Sequence, residues 1–321
     1  MKSNMDMAEK PLVCIVVLNY NGREHLDYCL TSVAATAYSN YQIIVVDNAS
    51  PDGSAELVSA LCPSAQLIRS HLNRGWSGGN NVGILTALEM GAQYVVLANN
   101  DIRVDPRWVS EAVKLAESDP QVGIIGFQVL EREPRSANRD SGFERAQAIW
   151  TEIESSYPKY VGGMAMFVRT ELFEQIGLID EGFFAYCEEN DFQIRARKAG
   201  YKVVAINVPV WHYGQGAFGK IPARAAIMQT RNNIRLLLKH GSLFDLLNSG
   251  LNHFTKRILP SRDAQIQSAV EGRLRFSGSI GNLVILSQAV IWNIWVLPTT
   301  IKRRRDDNLK AMVANQKWHP S

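Results

Sequence analysis

Residues 94–101 read Tyr-Val-Val-Leu-Ala-Asn-Asn-Asp, an apolar run that stops at two amides and a carboxylate. In an open α/β sheet a ligand binds just beyond the carboxyl ends of the strands. Asp101, placed there, is a candidate ligand for a divalent cation, and Asn99 or Asn100 can hydrogen-bond a sugar hydroxyl. The competing reading is an ordinary turn before the next helix, since Asn and Asp are common turn residues. Three more turns carry related chemistry. Asn19-Tyr20-Asn21 offers an aromatic face, and Asp47-Asn48-Ala49-Ser50 an acceptor carboxylate. Residues 73–83, Asn-Arg-Gly-Trp-Ser-Gly-Gly-Asn-Asn-Val-Gly, contain Gly78 and Gly79 just before a helical pattern. A helix opening there presents free N–H groups to an anion, although two glycines also suit a tight turn. An aromatic face, a carboxylate and a cation ligand are the parts needed to hold a pyrimidine nucleotide with its diphosphate and metal.

Acids recur at Glu188-Glu189-Asn190-Asp191. They can supply a general base, or they can simply complement the dipole of a helix that starts there. Asp191 and Arg195 stand four apart, so Asp191 can instead be paired along the helix. His212, between Trp211 and Tyr213, is either a metal contact or a satisfied structural residue. Trp76 can face an acceptor or only pack. Arg231 and Arg235, one turn apart, can touch a lipid-linked diphosphate or line a solvated helix face.

The elements that must position these residues alternate between strand and helix. Residues 12–18, 41–46 and 94–98 are apolar runs of the kind buried on both faces, and 66–69 is a shorter strand. Helical spacing marks 23–35, 54–61 and 80–90, the last opened by the glycines. Pro106 stands at the first position of the next helix with Asp105 as its N-cap. This alternation over roughly the first 120 residues predicts an α/β fold, with a mostly parallel sheet flanked by helices. The pattern then breaks. A strand at 122–127 is followed by charged residues 131–145, read as a mobile loop and candidate lid. An apolar segment at 160–168 contains Gly162-Gly163, a helix at 188–199 stops at Gly200, and a strand spans 202–207.

Beyond residue 223 the pattern is helical. Residues 282–297 are apolar with Trp292 and Trp295, and Lys302-Arg303-Arg304-Arg305 follows. A spanning helix needs about 20 predominantly apolar residues. This segment therefore reads as an interfacial helix on an anionic membrane surface. The alternative is a helix packed on the rest of the chain or in a homodimer.

The 321 residues are 46% hydrophobic and 20% charged, ordinary globular material, and the net charge of +3 argues against a nucleic-acid partner. Cys14, Cys29, Cys62 and Cys187 are scattered without a CxxC pair. They fit neither a zinc site nor a disulfide framework, which points to a reducing compartment. The first ten residues include Asp6 and Glu9 and no apolar signal stretch, so a cytoplasmic location is expected. No GxGxxG follows the first strand and no Walker A sequence is present. A nucleotidyltransferase is disfavoured because no Gly-rich basic loop follows that strand.

The ordered set of motifs over roughly residues 10–215 resembles an inverting family 2 glycosyltransferase of the GT-A fold, nearest to rhamnosyltransferase-like members. The carriers are Asn19-Tyr20-Asn21, Asp47-Asn48-Ala49-Ser50, the 73–83 stretch, Asn99-Asn100-Asp101 in place of Asp-x-Asp, Gly162-Gly163, Tyr186 to Asp191, and Trp211-His212. The resemblance implies nucleotide-sugar contacts at Asn19, Tyr20, Asp47, Gly78, Asn80, Asn99 and Asn100. It implies metal binding, as Mg2+ or Mn2+, at Asp101 and His212, and acceptor contacts at Trp76, Gly163 and Glu188. It assigns Glu189 as the catalytic base, with Asp191 as a second catalytic candidate. Asn99 replaces the first acid of the metal motif, which lowers the negative charge beside the diphosphate.

The implied reaction moves rhamnose or another hexose from a dTDP- or UDP-sugar to a hydroxyl of a cell-surface glycan or lipid-linked saccharide. A catalytically inactive nucleotide- or carbohydrate-binding homologue is the alternative. The expected organisation is a tail at 1–10, a catalytic domain at 11–220, and a helical region at 221–321 that lies on the inner face of the plasma membrane or dimerises. Within the catalytic domain, a nucleotide-sugar half covers 11–127 and an acceptor half 128–220.

Overall fold

The computed structural model describes residues 10–131, 154–213, 222–242, 244–245 and 279–318. Apart from Glu131, the stretch read as a lid lies outside the described residues. The first strands are β1 (Val13–Asn19), β2 (Tyr41–Asp47), β3 (Gln66–Arg69), β4 (Tyr94–Asn99) and the short β5 (Ile102–Val104). Between them lie α1 (Leu26–Ala34), α2 (Ser54–Leu61) and α3 (Gly75–Glu89). The chain continues through α4 (Trp108–Ser118), β6 (Val122–Glu131), β7 (Ser155–Ser156), β8 (Ala165–Arg169), α5 (Thr170–Ile176), α6 (Glu188–Lys198) and β9 (Lys202–His212). Three helices close it, α7 (Pro222–His240), α8 (Ser279–Trp295) and α9 (Leu297–Asn315).

Among the described residues these strands form one nine-stranded sheet, in the order β3-β2-β1-β4-β8-β6-β9-β5, with β7 on β9. The first four strands are mutually parallel, as the strand-helix alternation predicts. Beyond them the sheet is mixed, because β8 runs antiparallel to both β4 and β6. Parallel pairing puts the ends of β1, β2 and β4 on one edge, which brings Asn19, Asp47 and Asn99 together. Both faces of these strands are covered, which is why every residue of β1 is buried and apolar up to its terminal Asn19.

Several element boundaries differ from the sequence expectation, three of them for a visible physical reason. Helix α3 begins at Gly75, so the glycines lie inside it and do not precede it. A methyl on Gly79 would sit 2.4 Å from Leu18 Cδ1, and one on Gly83 2.3 Å from Val16 Cγ1. The helix backbone lies directly on β1, and that close approach outweighs the poor helix propensity of glycine. Helix α4 starts at Trp108, not Pro106, because the Asp105 carboxylate accepts the Arg107 N–H at 2.8 Å and shapes a turn first. Strand β9 continues past residue 207 to His212. A register irregularity, at which Gln128 pairs with Pro209, lets the proline into the strand without breaking the ladder.

The C-terminal helices pack on the catalytic domain. Ala311 and Ala314 of α9 are buried against α5 and α6, and Trp318 meets Tyr201 edge-on at 5.2 Å. Helix α8 lies along α7, with Arg231 over the Trp292 ring at 4.1 Å. Its other face remains open, and Ile291, Ile294 and Trp295 are exposed there.

Candidate active site

At the sheet edge, Asn19 is fully buried and organises the first turns. Its Nδ2 donates to Asp47 Oδ1 at 2.9 Å and Ser54 Oγ at 2.8 Å, while its Oδ1 accepts from Asn100 Nδ2 at 2.8 Å. Asp47 Oδ2 in turn accepts the Ser50 N–H at 3.2 Å. Both oxygens of Asp47 are thus hydrogen-bonded within the turns. Tyr20 is half-buried just beyond β1.

Asp101 follows β4 directly and is 2% exposed. Its Oδ1 has no hydrogen-bond donor among the described residues and lies 3.3 Å from His212 Nε2. The pairing of β5 with β9 sets this proximity, with Ile102 opposite His212 and the Tyr213 N–H bonded to the Asp101 carbonyl at 2.9 Å. A buried carboxylate oxygen without a donor, facing an imidazole nitrogen, suits a divalent cation better than an empty core. Among the described residues no group of three or more His, Cys, Asp or Glu side chains gathers to hold a metal. Mg2+ commonly uses one or two carboxylates and takes its remaining ligands from substrate phosphates and water, so Asp101 and His212 fit such an ion.

The acceptor side joins this edge through Trp76. Its indole N–H donates to Asn99 Oδ1 at 2.9 Å, and the Asn99 N–H bonds the Met164 carbonyl at 2.9 Å. A methyl on Gly163 would lie 3.2 Å from Glu189 Cβ and 3.3 Å from Trp76 Cζ2. Trp76 and Glu189 therefore both border Gly163, and Trp76 bonds Asn99, two residues before Asp101 in the chain. Glu188 is buried next to Glu189, and its Oε2 has no hydrogen-bond partner among the described residues. Burial, reinforced by the charge of Glu189, holds the Glu188 carboxyl well above the usual carboxylate range. Burial also raises Glu189, against backbone hydrogen bonds that favour its charged form.

Asp191 is not part of this group. Its Oδ2 receives Arg195 Nε at 2.9 Å, and its Oδ1 lies 2.6 Å from Lys239 Nζ and 2.8 Å from His240 Nε2. Burial alone would raise its pKa, but these partners, Arg195 foremost, hold it far below the usual range. Lys239 also reaches Asp180 and Asp307, each at 2.9 Å, so α6, α7, α9 and the segment before α6 share one buried ion cluster. A carboxylate so fully engaged does not serve as a base, and the catalytic candidacy of Asp191 gives way to the helical pairing with Arg195. Nor do Arg231 and Arg235 form a solvated face. Arg235 is buried and pairs with Asp180 at 3.0 Å, and Arg231 donates to the Phe183 carbonyl at 3.0 Å.

Residues 14–175 match the sequence model described as Glycosyl transferase family 2. The chain belongs to that family. Over 199 residues it is 27% identical to the low-salt glycan biosynthesis hexosyltransferase Agl10 of Haloferax volcanii, covering 59% of this chain and 62% of that protein's length. Over 242 residues it is 24% identical to the N-acetylglucosaminyl-diphospho-decaprenol L-rhamnosyltransferase of Mycobacterium tuberculosis, covering 65% of this chain and 78% of the other. Among solved structures it is similar to the mannosyltransferase PcManGT of Pyrobaculum calidifontis in complex with GDP-Man and Mn2+. That likeness has a TM-score of 0.57 at 18% identity, over 98% of this chain and 89% of the other. It is also similar to the 1-349 fragment of S. aureus TarS in complex with UDP-GlcNAc, with a TM-score of 0.54 at 14% identity over 96% and 91% of the two chains. The GT-A architecture expected from the motifs is the one these structures share.

Within this family 2 glycosyltransferase, three predicted donor-side residues have their polar groups turned to other uses. The Gly78 N–H bonds the Arg74 carbonyl at 3.3 Å and is not free for an anion, since α3 starts one turn earlier than expected. Asn80 is buried in α3 and donates to the Trp76 carbonyl at 2.9 Å. Asn100 secures Asn19. Sequence reasoning passed over Asn48 and Asn73, which stitch the end of β2 to the start of α3: Asn48 Nδ2 donates to Asn73 Oδ1 and to the Gly75 carbonyl, each at 3.0 Å. It also missed Asn232, whose role rests on partners more than 40 residues away and leaves no local signal.

Proposed function

We propose that this chain is a metal-dependent, inverting hexosyltransferase that takes a sugar from a dTDP- or UDP-linked donor to a glycan or lipid-linked hydroxyl. The observation that carries this reading is the place of Trp76, which hydrogen-bonds Asn99, two residues before the Asp101–His212 pair, and borders Gly163 together with Glu189. A candidate cation site and a candidate base thus both lie near one aromatic side chain. Glu189 accepts the proton of the acceptor hydroxyl as that oxygen bonds to the anomeric carbon, and the bond to the donor phosphate breaks on the opposite face. A single displacement of this kind inverts the anomeric centre. The raised pKa of Glu189 makes it a stronger base than an exposed carboxylate. Asp101 and His212 would hold a Mg2+ or Mn2+, whose charge would offset that of the leaving diphosphate. Relatives named as rhamnosyl- and hexosyltransferases support the sugar class.

The test is turnover of a panel of dTDP- and UDP-sugars with Mn2+ or EDTA, with product anomers read by NMR. Metal-dependent transfer with inversion supports the reading, and Asp101→Ala should abolish metal-dependent nucleotide binding while the protein stays folded. Nucleotide binding without turnover of any donor would favour the inactive homologue, and UDP or dTDP binding to Asp101→Ala as tight as wild type would remove the metal assignment.

We infer also that the enzyme works at the cytoplasmic face of an anionic membrane. No single described helix is long and apolar enough to cross a membrane. Support comes from the outward face of α8, where Trp295 is 79% exposed, beside exposed Lys302, Arg303 and Arg305. Apolar surface next to basic charge is the pattern that anionic lipid complements. The four cysteines are buried and free, in keeping with a reducing compartment. Full-length protein should sediment with phosphatidylglycerol vesicles and not with phosphatidylcholine vesicles, and Ile291→Glu/Trp295→Glu should release it. Unchanged vesicle binding by that variant, or conversion of a dimer to a monomer instead, would reassign the face.

A further inference from the structure

The segment that delivers the α6 acids to the site holds an unusual backbone. Phe184, Tyr186 and Cys187 have φ of 66°, 72° and 69°, a region that non-glycine residues seldom adopt. Cys187 is the N-cap of α6, so the conformation of this segment sets where Glu188 and Glu189 emerge. Its carbonyls are satisfied mostly by one side chain. Asn232 of α7 is fully buried, and its Nδ2 lies 2.8 Å from the Phe183 oxygen, 2.6 Å from that of Ala185 and 2.8 Å from that of Tyr186. Asn232 Oδ1 accepts Arg231 Nε at 3.0 Å, which turns the amide nitrogen toward the three carbonyls. Arg231 adds a bond to Phe183, Cys187 Sγ donates to Asn233 Oδ1 at 3.1 Å, and the Ser77 N–H takes the Phe184 carbonyl from the opposite side.

We propose that Asn232 is the positioning residue for the catalytic base. The inference rests on the reading of Glu189 as that base. Asn232 acts only through the segment, since none of its hydrogen bonds reaches Glu189. An amide nitrogen is the required group. A carboxylate would turn acceptor toward acceptor, and an apolar side chain would leave buried carbonyls unpaired. The grip is separate from the attachment of α7 to the domain, which the ion pairs of Arg235 and Lys239 provide. Loss of the clamp therefore lets the base wander while the nucleotide site, built on β1, β2 and β4, persists.

The experiment is a double-mutant cycle in the full-length protein, using Asn232→Ala, Glu189→Gln and the combination, with turnover measured at saturating donor and acceptor. Misplacing a base by about an ångström lowers kcat by roughly 10- to 100-fold, and Asn232→Ala should fall in that range with donor KM unchanged. Its acid limb should move to lower pH as Glu189 gains water. The combination should be no slower than Glu189→Gln alone. Additive losses, or Asn232→Ala turnover within twofold of wild type, would overturn the proposal. Near-normal turnover of Glu189→Gln would overturn the base assignment instead. If Asn232→Ala does not fold, Asn232→Ser keeps one donor, and failure of both to give nucleotide-binding protein makes Asn232 a folding residue and ends the proposal.

Discussion

Glu189 and Asp191 stand two residues apart on one helix and live in opposite electrostatic worlds. Asp191 is surrounded by Arg195, Lys239 and His240, and its carboxyl is held far below the ordinary range. Among the described residues no cation pairs with buried Glu188 or partly buried Glu189, and both are raised. Residues two apart on a helix face different sides, and here one side meets the C-terminal helices while the other meets Gly163 and Trp76. Pairing removes a carboxylate from chemistry, whereas burial without pairing makes it a base or a proton holder. The C-terminal region therefore does more than append an apolar surface, because its Lys239 and His240 join Arg195 of α6 in engaging Asp191.

The comparison breaks most visibly through rate. Glu189→Gln should lower turnover at saturating acceptor by roughly 10²–10⁴-fold with donor affinity nearly unchanged, and Glu188→Gln should cost less. Equal losses in Asp191→Asn without a loss of stability would erase the distinction drawn here.

On the paired side, Lys239→Met leaves Asp180, Asp191 and Asp307 buried without their shared cation. Removing one partner of a buried ion pair typically costs about 3–5 kcal/mol, which a urea titration will read directly. Nucleotide affinity of the folded fraction should survive.

Gly163→Ala sharpens the geometry of the unpaired side. The added methyl crowds Glu189 and Trp76 together, and a displacement of a few tenths of an ångström at the base should lower kcat by about tenfold. A variant with full turnover would show that Glu189 has room to shift without consequence.

The smallest effect is a pH dependence of stability. Asp180 and Asp191, depressed in the folded state, contribute stability that is present above their ordinary value of 3.8 and lost as pH falls through their folded values. Glu188 has the opposite sign. Its raised folded-state pKa gives stability that is complete below its ordinary value of 4.5 and lost as pH rises through the folded value. Glu188→Gln should therefore gain on wild type as pH rises from 4.5 toward neutrality. A stability difference independent of pH would mean that Glu188 is not held protonated.

Much of the fold was legible in the residues. Strands β1 and β4, and β2 from Ile43 to Val46, are apolar runs because both their faces are covered, and their polar ends, Asn19, Asp47 and Asn99, mark the edge beyond which open α/β sheets bind ligands. The start of α3 was not legible, because Gly75, Gly78 and Gly79 argue against a helix by propensity and are required there by contact with Phe184, Arg74 and Leu18. The continuation of β9 to His212 was hidden by Pro209, which is acceptable only at an irregularity that β6 creates.

The order and type of the motifs determined the family, the sheet and the choice of Asp101 and Glu189, because each motif is a local sequence at a strand or helix end. The sequence offered Arg195 as a partner for Asp191 and left the alternative of a catalytic role open. Lys239 and His240, which complete the engagement of Asp191, lie far along the chain and arrive only when α7 packs. Asn232 is the same kind of case. An amide inside a helical pattern is unremarkable until folding sets three carbonyls within reach of its nitrogen. Electrostatic pairing and buried hydrogen bonds are made in space by residues with no fixed spacing in sequence, so only the tertiary structure could assign them.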